Sequence, residues 1–202
     1  MILIPIHYNK DVMDNISLER INTLHPKLRD KAKKDYLDAN NLLGKNVRLR
    51  ISYAKRSFAE QTALYAQGRE TLGEINRLRQ IAKMQLIGFS ESLNKVTNAK
   101  AGESYHNYAI AFDIVLLYDK NGDGVFEEVS WDLKRDGDRD GIADWIEVTK
   151  LFIERGWTNG FWTNGKHWDK PHFQYTFGLS IKQLQEKYNK KDFIQGTTYV
   201  NI

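Results

Sequence analysis

An aspartate stands inside an apolar, β-branched run of this chain. Ala111-Phe-Asp113-Ile-Val-Leu-Leu117 reads as a core strand, and a carboxylate in such a strand is costly unless it is paired or bound to a cation. Two histidines are placed to supply company. His106 precedes Asp113 by seven positions, and His172 opens an aromatic strand segment with Asp169 three positions before it. Two imidazoles and one carboxylate form a three-ligand zinc set that leaves a fourth position for water. A further carboxylate beside that water, here Asp169, has the chemistry of a general base. The chain has no cysteine, so any metal must be held by histidine, aspartate or glutamate. Of the three other histidines, His25 reads as a surface or capping residue. His167 ranks below Asp169 as a neighbour of the site, and His7 lies in an apolar N-terminal stretch read as an edge strand or docked terminus.

The flanking sequence reads as an α+β scaffold: a small antiparallel sheet carrying a zinc cleft, packed against helices. Ser17 starts a short helix. Pro26 opens a longer one, with Leu28, Ala32, Tyr36, Ala39 and Leu43 on one stripe and Gly44 as its stop. Val47, Leu49, Ile51 and Tyr53 alternate with polar residues and predict a half-buried strand. Ser57 with Glu60 is a capping box that starts the next helix at once, so Arg56 projects from the strand–helix junction. Periodicity predicts one helix across Glu70 to Gly88, another from Trp145 to Arg155, and a last one capped by Ser180. Pro171 to Thr176 is expected to be a strand, and the terminal Tyr-Val-Asn-Ile a small edge strand. No linker divides the chain, which reads as a single domain over residues 1–202 with an acidic insertion at 119–147.

That insertion carries two glycine-punctuated acidic loops. Asp136, Asp138, Asp140, Ile142, Asp144 and Glu147 occupy positions 1, 3, 5, 7, 9 and 12 of a calcium-loop template, with Gly141 at the sixth. The preceding helix of a full helix–loop–helix hand is missing. Asp119, Asn121 and Asp123 begin a second candidate calcium loop, whose twelfth residue is Ser130 rather than glutamate. Without a cation the carboxylates repel one another, so calcium is expected to order the insertion.

Four ordered motifs then point to a family. Arg56-Ser-Phe-Ala-Glu-Gln-x-x-Leu-Tyr-Ala-Gln-Gly-Arg69, Val96-Thr-Asn-Ala, Ser104-x-His106 through Asp113, and Asp169-x-Pro-His172-Phe together resemble the zinc metallopeptidases of the D-alanyl-D-alanine carboxypeptidase superfamily. The likeness is to its L-alanyl-D-glutamate endopeptidase branch, which includes phage endolysins, and it covers roughly Arg48 to Tyr188. The resemblance implies zinc on His106, Asp113 and His172, Asp169 as the catalytic carboxylate, and Arg56 at the substrate or the forming oxyanion. It implies that Ser104 and Gln61 contact substrate or support the residues that do. The family pattern has glycine three residues after the first zinc histidine; Ala109 stands there in this chain.

The expected activity is therefore zinc-dependent cleavage of peptidoglycan stem peptides, between L-Ala and D-Glu in the preferred reading. Removal of a terminal D-Ala by a carboxypeptidase is the alternative. A calcium-binding, wall-associated module with an inert zinc site is the non-enzymatic rival, which the intact Asp169 argues against. A net charge of +4 suits an anionic partner such as cell wall. No aromatic-basic motif points to nucleic acid, and no apolar run is long enough to cross a membrane. The N-terminal stretch lacks the basic flank of a signal peptide. The expectation is a monomeric, endolysin-like enzyme made in a host cytoplasm, released at lysis, and acting on the wall from the periplasm or outside.

Overall fold

The computed structural model of the chain describes residues 13–159 and 169–202. His7, His167 and the expected N-terminal edge strand lie outside the described residues. In chain order the elements are α1 (Asn15–Asn22), α2 (Pro26–Leu42), β1 (Val47–Tyr53), α3 (Phe58–Ala66), α4 (Leu72–Ile81), α5 (Phe89–Ser92), a 3-10 turn (Tyr105–Tyr108), β2 (Ala111–Tyr118), β3 (Glu128–Ser130), α6 (Asp144–Glu154), β4 (Thr158–Asn159), β5 (His172–Gln174) and α7 (Ile181–Asn189). The mixed α+β class is as the patterning predicts. The chain groups into two compact units, one of Met1–Ala54 with Phe112–Tyr175 and one of Lys55–Ala111 with Thr176–Ile202.

The first unit is built on a sheet of order β1-β2-β5-β4, with β3 also paired to β2. The β1/β2, β2/β3 and β4/β5 pairings are antiparallel. Strand β2 is the hub: β1 lines one edge, while the other is shared between β3 at Leu116–Tyr118 and the segment leading into β5, where Ile114 N–H donates to the Pro171 carbonyl (3.0 Å). Period-two alternation sorts its side chains. Phe112 faces an aromatic core of Phe152, Trp157 and Phe173, with ring centroids at 5.4, 4.6 and 5.8 Å. Asp113, one position on, belongs to the opposite face.

Among the described residues β1 is the outer strand on its side, and side chains from α1 and α2 satisfy outward backbone groups at Leu49 and Ile51. Leu49 N–H donates to Asn40 Oδ1 (2.9 Å), and the Leu49 carbonyl accepts from the Tyr36 hydroxyl (3.0 Å). Ile51 N–H donates to Ser17 Oγ (3.0 Å), and Arg20 reaches the Ile51 carbonyl. Asp14 ties these parts together: it caps α1 through Ser17, accepts from Tyr36 (2.7 Å) and pairs with Arg50 (3.2 Å). His25 caps α2 by accepting from Lys27 N–H, as the capping reading expects, but it is fully buried rather than on the surface.

The second unit packs α3 against α4 around Ala66, Ile75 and Ile87. The capping box predicted at Ser57/Glu60 is present, and the expected Ser180 cap proves to be a capping box as well, with Gln183. The single helix expected from Glu70 to Gly88 stops at Ile81 instead. The reason is side-chain chemistry: Asn76 takes both the N–H and the carbonyl of Ile87 (3.0 Å each), and Arg79 Nε donates to the Gln85 carbonyl. These bonds offer residues 85–87 a better partner than another helical turn. Elsewhere Phe58 stacks on Tyr188 of α7 (4.5 Å), and the expected C-terminal edge strand is a single bridge, Phe193 to Val200.

The 3-10 turn ends at Ala109, which is fully buried at φ 61°, ψ 30°. Left-handed backbone costs an L-residue roughly 1–2 kcal/mol, which is why glycine suits this position.

Two outcomes follow. Asp14→Ala should lower unfolding free energy by about 2 kcal/mol at neutral pH, the sum of a lost cap and a lost hydrogen bond. Burial raises the Asp14 pKa, but bonds from Ser17 and Tyr36 and the Arg50 charge hold it below the ordinary value. That stabilisation is present above the unfolded carboxylate pKa and lost as pH falls through the folded one, so the gap between wild type and variant in urea midpoints should close on acidification. At Ala109, glycine relieves strain but forfeits a buried methyl and adds chain entropy, each about 1 kcal/mol. Denaturant titration should place Ala109→Gly within about 1 kcal/mol of wild type, and Ala109→Val more than about 2 kcal/mol below it, since a branched side chain adds strain and bulk.

Candidate active site

In the sheet unit, Asp113 and His172 meet. His172 Nδ1 lies 3.1 Å from Asp113 Oδ1, and His172 Nε2 lies 3.0 Å from Gln174 Oε1. Alternation places His172 and Gln174 on one side of β5 while Phe173 joins the aromatic core on the other. The imidazole is 5% exposed. Burial alone would lower its pKa; the bonded carboxylate of Asp113, then Gln174 and the nearby charge of Asp169, outweigh burial and raise it. Asp169 is partly buried and precedes Lys170 and Pro171 at the entry to β5.

The arrangement fits a metal. Two atoms bonded to one zinc at about 2.0–2.1 Å, at a tetrahedral angle, sit about 3.4 Å apart. Nδ1 and Oδ1 at 3.1 Å are close to that edge. Gln174 would then accept the Nε2 proton, which fixes the tautomer that leaves Nδ1 free to ligate. Gln174 was not singled out from sequence; its signal is its spacing of two from a candidate ligand on a strand.

In the other unit, Arg56, Gln61, Ser104 and His106 are held by one bonded network. Arg56 N–H donates to the His106 carbonyl (3.0 Å), and Arg56 Nη1 donates to Gln61 Oε1 (3.0 Å). Gln61 is fully buried, and its amide also donates to the Ala99 carbonyl (2.7 Å) and to Thr97 Oγ1 (3.3 Å). It is therefore a positioning residue for Arg56. Ser104 caps the 3-10 turn by accepting from His106 N–H (3.4 Å), and His106 is 3% exposed. Asn107, missed by sequence reasoning, bridges the Arg56 carbonyl (3.1 Å) and Gly102 N–H (2.9 Å).

The acidic loop 136–147 folds its carboxylates inward. Asp136, Asp138 and Asp144 form one group whose candidate ligand atoms lie within 4.8 Å of one another, and Asp138, Asp140 and Glu147 form a second. Glu147 is pushed up to about 7 by burial and by Asp140, Asp138, Asp144 and Asp136. Asp119 is held by its own loop as Asp136 is: the two oxygens of Asp119 accept from Gly122 and Gly124 N–H (2.7 Å each) and those of Asp136 from Asp140 and Gly141 N–H (3.2 and 2.9 Å), while Asn121 and Asp123 bond each other at the surface.

Comparison with known proteins identifies the family. Residues 97–175, which include His106, Asp113, Asp169 and His172, match a family model described as D-alanyl-D-alanine carboxypeptidase. The chain is 34% identical over 152 residues to the peptidoglycan L-alanyl-D-glutamate endopeptidase CwlK of Bacillus subtilis (strain 168), covering 75% of this chain and 72% of that protein. The motifs, the paired aspartate and histidine on the sheet, and these matches together establish that the chain belongs to the D-alanyl-D-alanine carboxypeptidase superfamily of metallopeptidases.

Proposed function

We propose that the protein is a zinc-dependent endopeptidase that cuts peptidoglycan stem peptides between L-Ala and D-Glu. The observation that carries this reading is the Asp113–His172 pair on the sheet face, with His172 buried, Asp113 partly buried and Gln174 set to fix the imidazole tautomer. The specificity is supported by the activity of the Bacillus subtilis relative. In this reading His106, Asp113 and His172 hold the metal. When bound, zinc supplies Lewis acidity at the scissile carbonyl and brings the pKa of a coordinated water to about 7.

The remaining chemistry belongs to the chain. Asp169 accepts the proton of the attacking water and returns it to the leaving amine. The Arg56 guanidinium, oriented by Gln61, faces the oxyanion that forms at the carbonyl and is worth a few kcal/mol there. Ser104 and Asn107 fix the turn that presents His106. The wall is the place of action, reached from the periplasm or from outside, and the chain acts as a monomer. Calcium is the second cofactor of this reading, held by Asp136, Asp138, Asp140, the Ile142 carbonyl, Asp144 and Glu147. Asp119, Asn121 and Asp123 are left out of it, because Ser130 stands where the template has its bidentate glutamate and neither Asp119 nor Asp123 joins a converging group of ligand atoms among the described residues.

Asp169→Ala should keep one zinc per chain and an unchanged melting temperature yet lose wall lysis. Undiminished lysis would show that another group takes the proton. Arg56→Ala should lower kcat/KM on purified muropeptide by about 10²–10³-fold, the usual loss for one oxyanion contact. Mass analysis of the products should find stems cut after L-Ala; release of free D-Ala instead would favour the carboxypeptidase alternative.

A further inference from the structure

Asp144 is the least expected carboxylate in the acidic loop. It is fully buried, and it opens α6. Its Oδ2 accepts from the Tyr118 hydroxyl (2.9 Å) and from Gly137 N–H (2.9 Å). Its Oδ1 is buried and has no hydrogen-bond partner among the described residues; Glu147 Oε2 is in the same condition. A native fold rarely strands a buried carboxylate oxygen, and when it does an ion is one of the standard reasons. Asp144 also belongs to the group in which Asp136 and Asp138 offer ligand atoms within 4.8 Å. An all-oxygen set from a twelve-residue loop suits calcium, which takes six to eight oxygens in flexible geometry; magnesium demands a stricter octahedron.

The same residues bind the loop to the sheet. Tyr118 is the last residue of β2, the strand that carries Asp113. The loop's Gly137 lies so close to β1 and β2 that an added Cβ would meet the Tyr118 ring at 2.6 Å and Val47 Cγ2 at 2.9 Å. Asp138 Oδ2 accepts from Gly44 N–H, in the turn between α2 and β1. Resting on the calcium reading above, we infer that Asp144 is the anchoring calcium ligand and that the ion locks residues 136–147 onto the sheet unit through Tyr118. Calcium is thus a structural staple of that unit: one side of Asp144 holds the strand, the other holds the cation.

The variant Asp144→Asn separates this role from an ordinary buried hydrogen bond. Its amide oxygen can still accept from Tyr118 and Gly137, while its NH2 faces the other carboxylates as a neutral donor. Calcium titration by calorimetry and thermal unfolding are measured on full-length wild type and variant, with zinc present throughout. Wild type should bind one calcium, and at free calcium a hundredfold above Kd its unfolding constant should fall about a hundredfold. Asp144→Asn should bind at least tenfold more weakly and lose that shift, yet without calcium should melt at or above the wild-type temperature. In wild type, hydrogen exchange across residues 111–118 should slow on adding calcium. No calcium uptake by wild type would overturn the calcium reading itself. Uptake with no thermal shift, or equal uptake by Asp144→Asn, would overturn the anchoring role alone. An equal shift with magnesium would overturn the choice of cation.

Discussion

A charged carboxylate in a core strand has to be compensated, and the bond between Asp113 and His172 is how this sheet does it. Removing either partner would leave the other polar group buried without its main support, at a cost of several kcal/mol. The pairing is possible because β2 and β5 both alternate strictly. Phe112 and Phe173 go to the aromatic core, and their neighbours Asp113 and His172 go to the other face. One residue of register slip in either strand would exchange the two sets, so the aromatic core and the candidate metal ligands specify each other.

The rest of the sheet unit keeps β2 in place. α1 and α2 close the outer edge of β1 with Ser17, Tyr36 and Asn40, and Asp14 joins both helices to that edge. At the far end of β2, Tyr118 is pinned by Asp144, and the Arg135 guanidinium lies over its ring at 3.6 Å while pairing with Glu128 of β3. The strand that carries a candidate ligand near its start is thus anchored by the acidic loop at its finish. In the other unit the logic is local: Gln61, itself held by Thr97 Oγ1, accepts from the Arg56 guanidinium, and Asn107 donates to the Arg56 carbonyl, so side-chain hydrogen bonds rather than a sheet fix Arg56 and the His106 turn.

Much of this was legible in the sequence where one local signal dominated. The β1 alternation, the Ser57/Glu60 capping box, the Ser180 cap, Pro26 at a helix start and the aspartate within β2 each carry their own physics. What escaped depended on distant partners. Nothing near Asn76 announces that it will bond Ile87 and end α4 early. His25 looks like a surface cap until the fold buries it. Gln174 and Asn107 act through groups that only the fold brings near, although the position of Gln174, two beyond a candidate ligand on a strand, was a usable hint. Asp144 was legible as a loop position but not as a fully buried one. Ala109 was conspicuous only as a departure from a pattern; its left-handed backbone supplies the reason the pattern favours glycine.

The account stands or falls on which side chains bind the metal. Diffraction from crystals grown with zinc, collected on both sides of the zinc absorption edge, tests this directly. The account predicts one strong anomalous peak per chain, with His106, the Asp113 carboxylate and His172 Nδ1 each about 2.0–2.1 Å from it. A peak bound by other residues, or no peak in protein that still lyses cell walls, would contradict it.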